Sequence, residues 1–365
     1  MRSLALHLRN RITRSTTLAL AATLGLAACG GGDGGGLTTP PDDDPTPPPG
    51  QPSEGPAPRG AVIYALDNGN RLLMFGTEST DSISRLVEVS GLPILRRLIA
   101  IDFRPSNGKL YGVGNDSRLY TVDTLTGAAT PVGQPFSPSI ISSFDIHFGM
   151  DFEPATGRIR LISSELGVNW SINPDDGTAT TGESPHYAAG DPHEGQPAHI
   201  GGLTFVPASL FPSISAVGLS LSRGGSGLCE DVLMAMDTEL GQLITACDAD
   251  SGDFSSLGPI PGIESLACVE LDYSGPGGGI WATGQRINGA FNSLGTVDPE
   301  SGLIDWKVDV PDNFLIQSIT FKPGDDGLGL RVASAGPRLS VRGVAGQGPG
   351  SAGVDPVALC RGNGG

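Results

Sequence analysis

The chain has 365 residues, 55 of them Gly and 30 Pro, and its 22 Lys and Arg face 39 Asp and Glu for a formal charge of −17. So much Gly and Pro with only 5% aromatic residues argues against coiled coils and helical bundles. The acidic balance offers no basic face, so nucleic acid is excluded as an expected partner.

Residues 1–28 read as a targeting segment. Arg2, Arg9, Arg11 and Arg14 precede an apolar run from Thr16 to Leu26, which ends in Ala27-Ala28-Cys29. The run is too short to span a bilayer, and the small residues before Cys29 fit a bacterial lipoprotein signal whose cleavage leaves Cys29 lipidated. Cleavage removes four Arg and no acid, so anionic head groups repel the remaining body and the lipid alone is expected to hold it to the membrane. The expected location is the cell envelope, and Gly30 in place of a retaining Asp points to the outer membrane.

Residues 29–60 comprise the lipidated Cys and a Gly, Pro and Asp tether with almost nothing to bury, expected to be disordered and extended. Residues 61–322 form the body, and the Gly-rich tail 323–365 is expected to be mostly disordered.

The body repeats itself. A short strand ending in an aromatic residue recurs as Ile101-Asp102-Phe103, Met150-Asp151-Phe152, Leu203-Thr204-Phe205, Leu271-Asp272-Tyr273 and Ile319-Thr320-Phe321. Each of the first four is followed by an apolar pair of strands, at 109–113 with 118–122, 158–162 with 169–172, 232–236 with 242–246, and 279–282 with 293–297. Each pair then reaches a turn that begins with Asx and ends with Gly: Asp123 to Gly127, Asn173 to Gly177, Asp248 to Gly252 and Asp298 to Gly302. An Asx side chain accepts hydrogen bonds from amides two or three residues on, and the Gly supplies a positive φ. These acids lack the spacing of a calcium loop and are read as structural.

Four strands per unit, repeated roughly every 50 residues without helical periodicity, predict an all-β protein of the β-propeller class. Residues 61–90 hold the second to fourth strands of a unit and 316–322 a first strand alone, so the two ends complete one blade and close a five-bladed ring. The remaining blades fall at about 96–133, 144–183, 199–258 and 264–310. A six-bladed ring hidden in the long fourth unit is the alternative.

The segment from Gly149 to Ser163 (GMDFEPATGRIRLIS), then Asn169 to Gly177 (NWSINPDDG), Tyr187 to Asp191 (YAAGD), Gly195 and Pro197 resembles the bacterial family called domain of unknown function 4394. The resemblance covers most of 61–322 and departs at His193, where the family usually has Asn. It implies a secreted or envelope propeller-like domain and assigns no activity.

Two sets of residues are candidates for chemistry. Asp102, Asp151 and Asp272 fall at equivalent inner-strand positions, with Thr204 and Thr320 in the other copies. A carboxylate ring in the channel suits acid–base work on a glycosidic bond, whereas recurrence with Thr substitution suits side chains that satisfy backbone amides. The second set is the connection 181–200, which holds three of the five His. It is expected on the same face as the loop with Asp145 and His147, so that His147, His186, Asp191, His193, Glu194 and His199 converge near the channel mouth and offer ligands to zinc or another divalent metal ion. No helical zinc motif or other cofactor-binding pattern supports this, so no cofactor is assured.

An apolar, Ser- and Gly-rich insertion, 207–228, is expected on the opposite face as a partner surface or an extra hairpin. Cys229, Cys247, Cys268 and Cys360 form an even set for an oxidising compartment. Cys229 with Cys247 is the first expectation, leaving Cys268 to pair with Cys360 or stay buried. The functional expectation is a binding or scaffolding module with an envelope ligand or protein as partner. The alternative is an envelope hydrolase or lyase acting on a polysaccharide or other polymer at the channel.

Overall fold

In the computed structural model, residues 52–140, 148–163, 165–210, 229–260, 267–275, 279–285, 292–310 and 314–323 are described. Most strands are continuous apolar runs bounded by turn residues, the pattern of strands covered on both faces. Blade I holds β2 (Val62–Asp67), β3 (Arg71–Gly76) and β4 (Arg85–Glu88), with β1 (Ser53–Glu54) on its outer edge. Blade II is β5 (Leu98–Phe103), β6 (Leu110–Gly114), β7 (Arg118–Val122) and β8 (Ala129–Val132). Blade III is β9 (Gly149–Phe152), β10 (Ile159–Ser163), β11 (Val168–Ile172) and β12 (Ala179–Thr181).

Blade IV is β14 (Ile200–Pro207), β15 (Asp231–Asp237), β16 (Gln242–Ala246) and β17 (Asp253–Pro259), with a short β13 (His186–Tyr187) added outside β17. Blade V is β18 (Ala267–Tyr273), β19 (Ile280–Gln285), β20 (Asn292–Val297) and β21 (Ile304–Asp309). Last comes β22 (Ile316–Phe321), which pairs antiparallel with β2, Ala65 opposite Ile319, and so gives blade I its innermost strand. The chain is thus a five-bladed propeller closed by strands from both ends of the body; the six-bladed alternative does not hold.

The core is five apolar clusters, one at each junction between neighbouring blades. Trp170, fully buried, anchors the II–III junction, edge-on to Phe136. This explains why the middle strands show no alternation: both faces of a blade meet a neighbour.

The Asx–Gly turns behave as expected. Asp123 accepts the amides of Leu125 and Thr126 at 2.9 and 2.8 Å, and Asn173, Asp248 and Asp298 do the same for Asp175, Asp250 and Glu300. Gly127 has φ 72°, and a Cβ there would lie 2.1 Å from the carbonyl oxygen of Glu88 in the preceding blade. Glycine at this turn therefore serves both the hairpin and the close approach of two blades.

Two parts of the expected layout change. The tether expected through Gly60 ends earlier, because Ser53 and Glu54 pair with Leu86 and Arg85 and the Glu54 carboxylate meets the Arg85 guanidinium at 2.7 Å. An edge strand of two residues covers what would otherwise be the open edge of blade I. The connection 181–200 also forms a strand, β13. The signal segment with Cys29, most of the tether, the insertion 211–228 and the tail beyond Pro323 lie outside the described residues.

Candidate functional site

The innermost strands β5, β9, β14, β18 and β22 stand next to one another in a ring. An inner strand has no partner strand on its channel side, so its amides need other acceptors. The polar residue before each aromatic supplies them. Asp102 accepts its neighbour Phe103 N–H at 2.7 Å and, across the blade boundary, Phe152 N–H at 2.9 Å. Asp151 accepts Phe205 N–H on β14, and Asp272 accepts Phe321 N–H on β22 at 2.7 Å. Thr320 accepts Phe103 N–H at 3.3 Å and donates its hydroxyl to Asp102 at 2.6 Å. Thr204 donates to Asp151 at 2.9 Å. Each carboxyl thus fastens its blade to the next one.

The three aspartates also meet one another: one carboxylate oxygen from each lies within 4.8 Å of the others. Asp102 and Asp272 are 5% and 8% exposed, and Asp151 somewhat more. Burial first, and the charge of Asp272 second, push Asp102 up to about 7. Burial and the charge of Asp102 hold Asp151 well above the carboxylate range, and burial with the charge of Asp151 does the same to Asp272.

A fourth carboxyl escaped the sequence reading. Glu270, two residues before Asp272 on β18 and therefore on the same face, is fully buried. Its Oε1 accepts Leu203 N–H on β14 and Leu271 N–H, while its Oε2 has no hydrogen-bond partner. Burial holds its carboxyl well above the usual range, helped by the charges of Asp272 and Asp151. The available signal was a charge inside the otherwise apolar run Val269-Glu270-Leu271. The positions equivalent to Glu270 on the other inner strands are Ala100, Gly149, Gly202 and Ser318, so one large acidic side chain stands in a layer of small ones.

The connection 181–200 does not open at the channel mouth. Its β13 runs parallel to β17, with His186 beside Asp253, on the outer edge of blade IV. His186 Nε2 meets Asp253 at 3.0 Å, and His199 Nε2 meets Glu239 at 2.8 Å. His193 packs on the Tyr187 ring, Asp191 accepts Ser256 N–H at 2.7 Å, and Glu194 accepts Gly190 N–H at 2.8 Å. The expected convergence is corrected: among the described residues these groups do not gather into a metal-ligating cluster. His147 and Asp145 lie outside the described residues. A shallow cleft of about 470 Å³ sits here, bordered by Glu183, Pro185, His186 and Pro197.

The residues that carry the family resemblance build this same junction. Arg160, 1% exposed, donates to Asn169 at 2.9 Å and Asp250 at 2.7 Å, joining blade III to blade IV. Asn169 in turn donates to the carbonyls of Ala249 and Glu183. Tyr187 donates to Asp237 at 2.6 Å and accepts from Gln242 at 2.7 Å. Their roles went unread in the sequence because each partner comes from another strand, turn or connection, in most cases dozens of residues away. Cys229 and Cys247 are joined, with Cα atoms 5.8 Å apart. Cys268 lies on β18, and Cys360 is outside the described residues.

No curated protein matches the chain. Among solved structures, it is similar to a protein of unknown function from Bacteroides caccae, at TM-score 0.43 and 9% identity over 72% of this chain and 99% of that one. It is also similar to a chain of a nidogen/laminin complex, at TM-score 0.40 and 10% identity over 72% and 98%, and to a protein of unknown function from Bacteroides thetaiotaomicron, at 0.37 and 12% over 64% and 69%. Likeness at this level carries no inference about role. The family model described as Domain of unknown function (DUF4394) matches residues 71–320, from β3 to the closing strand β22, and the chain belongs to that family.

Proposed function

We propose that this protein is a lipid-anchored component of the bacterial envelope, held to the outer membrane through Cys29, whose propeller binds a ligand or protein partner without catalysis. The observation that supports a binding role best is how the inner carboxyls are used: Asp102, Asp151 and Asp272 accept amides from neighbouring blades, so they act as fasteners. The surface is where recognition is free to occur. Ile94 and Leu95, on the connection from blade I to blade II, are 90% and 91% exposed, and Leu95 holds φ 63°. That conformation costs a non-glycine residue about 1–2 kcal/mol, and exposed apolar pairs held this way suit a partner surface.

Fractionation tests the anchor: the wild-type chain is expected with outer membranes and Cys29→Ser in the soluble fraction, and co-fractionation of both variants overturns it. A photo-cross-linker at Leu95 tests the surface. One discrete adduct is expected, lost in Ile94→Ser, and its absence removes this loop as the contact.

The second reading, a hydrolase or lyase acting on a polysaccharide or other polymer, draws support from one observation. Asp102, pushed up to about 7, suits a general acid. Against it, each of the three carboxyls already accepts a backbone amide from a neighbouring blade. Turnover on a glycan panel that disappears in Asp151→Asn would replace the binding reading with this one.

A further inference from the structure

We propose that Asp102, Asp151 and Asp272 hold one hard divalent cation on the channel axis, calcium by its ligand set, with the charge of the buried Glu270 beside it in the next layer. The donors are all carboxylate oxygens, and among the described residues no imidazole or thiol joins the cluster, which selects calcium, magnesium or manganese over zinc or copper. Their oxygens lie within 4.8 Å of one another. Three ligands spread evenly at about 2.3–2.6 Å around calcium lie roughly 4–4.5 Å from one another, inside that limit, and calcium accepts several carboxylates at once. Magnesium instead keeps several waters and is usually held by one or two carboxylates.

The second observation is Glu270. It is fully buried, shares a face with Asp272 and keeps Oε2 without a partner. Its Oε1 is tied to Leu203 N–H on β14, which fixes the carboxyl between inner strands of blades IV and V. A buried carboxylate oxygen without a donor is costly unless a cation faces it. No described Lys, Arg or His pairs with any of the four acids. Asp151, the least buried of the three aspartates, leaves a way in.

An ion here ties the whole ring. Its ligands come from blades II, III and V, and the same carboxyls accept amides from blades III, IV and the closing strand of blade I. This site is independent of whatever the outer surface binds, and its readouts are separate from the fractionation and cross-linking above.

The test uses the full chain, stripped with EDTA and titrated with CaCl2, MgCl2 or MnCl2 by calorimetry while thermal unfolding is followed. One ion per chain is expected, calcium tightest, with a rise in Tm of several degrees. Asp272→Asn is expected to weaken calcium by about tenfold or more. Glu270→Gln keeps an acceptor for Leu203 and Leu271, so it is expected to retain the metal-free Tm of the wild type while binding calcium several-fold more weakly. It keeps the test decisive if Asp272→Asn does not fold. No heat and no Tm shift with any of the three ions at millimolar concentration overturns the proposal, as does binding that neither variant changes.

Discussion

Polar side chains crowd together in two regions, the channel and the outer edge of blade IV, and the two are built on opposite terms. In the channel every acid comes from a different inner strand or a different layer, is nearly removed from water, and has its acidity moved by its neighbours. His186 and His193 at the outer edge, and His199 just before the innermost strand β14, each retain substantial exposure and find a separate neighbour, Asp253, Tyr187 and Glu239. Closeness in sequence brought the histidines onto one segment without bringing them together, whereas residues about 50 apart or more became a cluster because the repeat sets them at the same height in adjacent strands. A low dielectric then makes the channel sensitive, while the outer edge, open to water, stays tolerant.

That contrast can be broken in several ways. The largest effect is expected from pH in the absence of metal. A carboxyl whose folded value lies above its unfolded value of 3.8 binds its proton more tightly when folded, so its stabilisation is full below that value and is lost as pH rises through about 7. For Asp102 alone this amounts to something on the order of 4 kcal/mol. Denaturant unfolding in EDTA at several pH values is expected to show stability falling from about pH 4 to 7, with a shallower slope in Asp102→Asn; a flat or rising profile in the wild type means the ring is not held as described.

Next comes Asp151→Ala, measured at pH 5, which leaves the Phe205 amide and the Thr204 hydroxyl without their acceptor. A loss of about 2–4 kcal/mol is expected, and one below 1 kcal/mol in urea titrations means the fastener reading is mistaken. Tyr187→Phe probes a deeply buried anchor of the outer segment, removing its bonds to Asp237 and Gln242. About 1–2 kcal/mol is expected there, together with faster amide exchange across 186–197; unchanged exchange detaches the segment from Tyr187. The smallest effect belongs to His193→Ala, about 0.5 kcal/mol or less by the same titration. A large loss there makes the outer edge as sensitive as the channel.

Sequence repetition pointed to the blades and the closing strand, with the structure deciding five over six, because a turn such as Asp123 to Gly127 is a local object: an Asx oxygen, two amides and a positive φ within five residues. The aspartates of the inner strands were equally visible, since the repeat places them in register. Their chemistry was not, because it depends on which oxygens come within a few ångströms and how much water is left. Glu270 was hidden for the same reason: nothing in Val269-Glu270-Leu271 tells that its neighbours in the ring are Ala, Gly and Ser. The placement of 181–200 was decided by tertiary structure too, when the open edge of β17 accepted β13 and drew His186 outward. Local hydrogen bonds are written into a few adjacent residues, while burial and charge proximity arise only when distant strands meet, and those two quantities set what the channel of this propeller can hold.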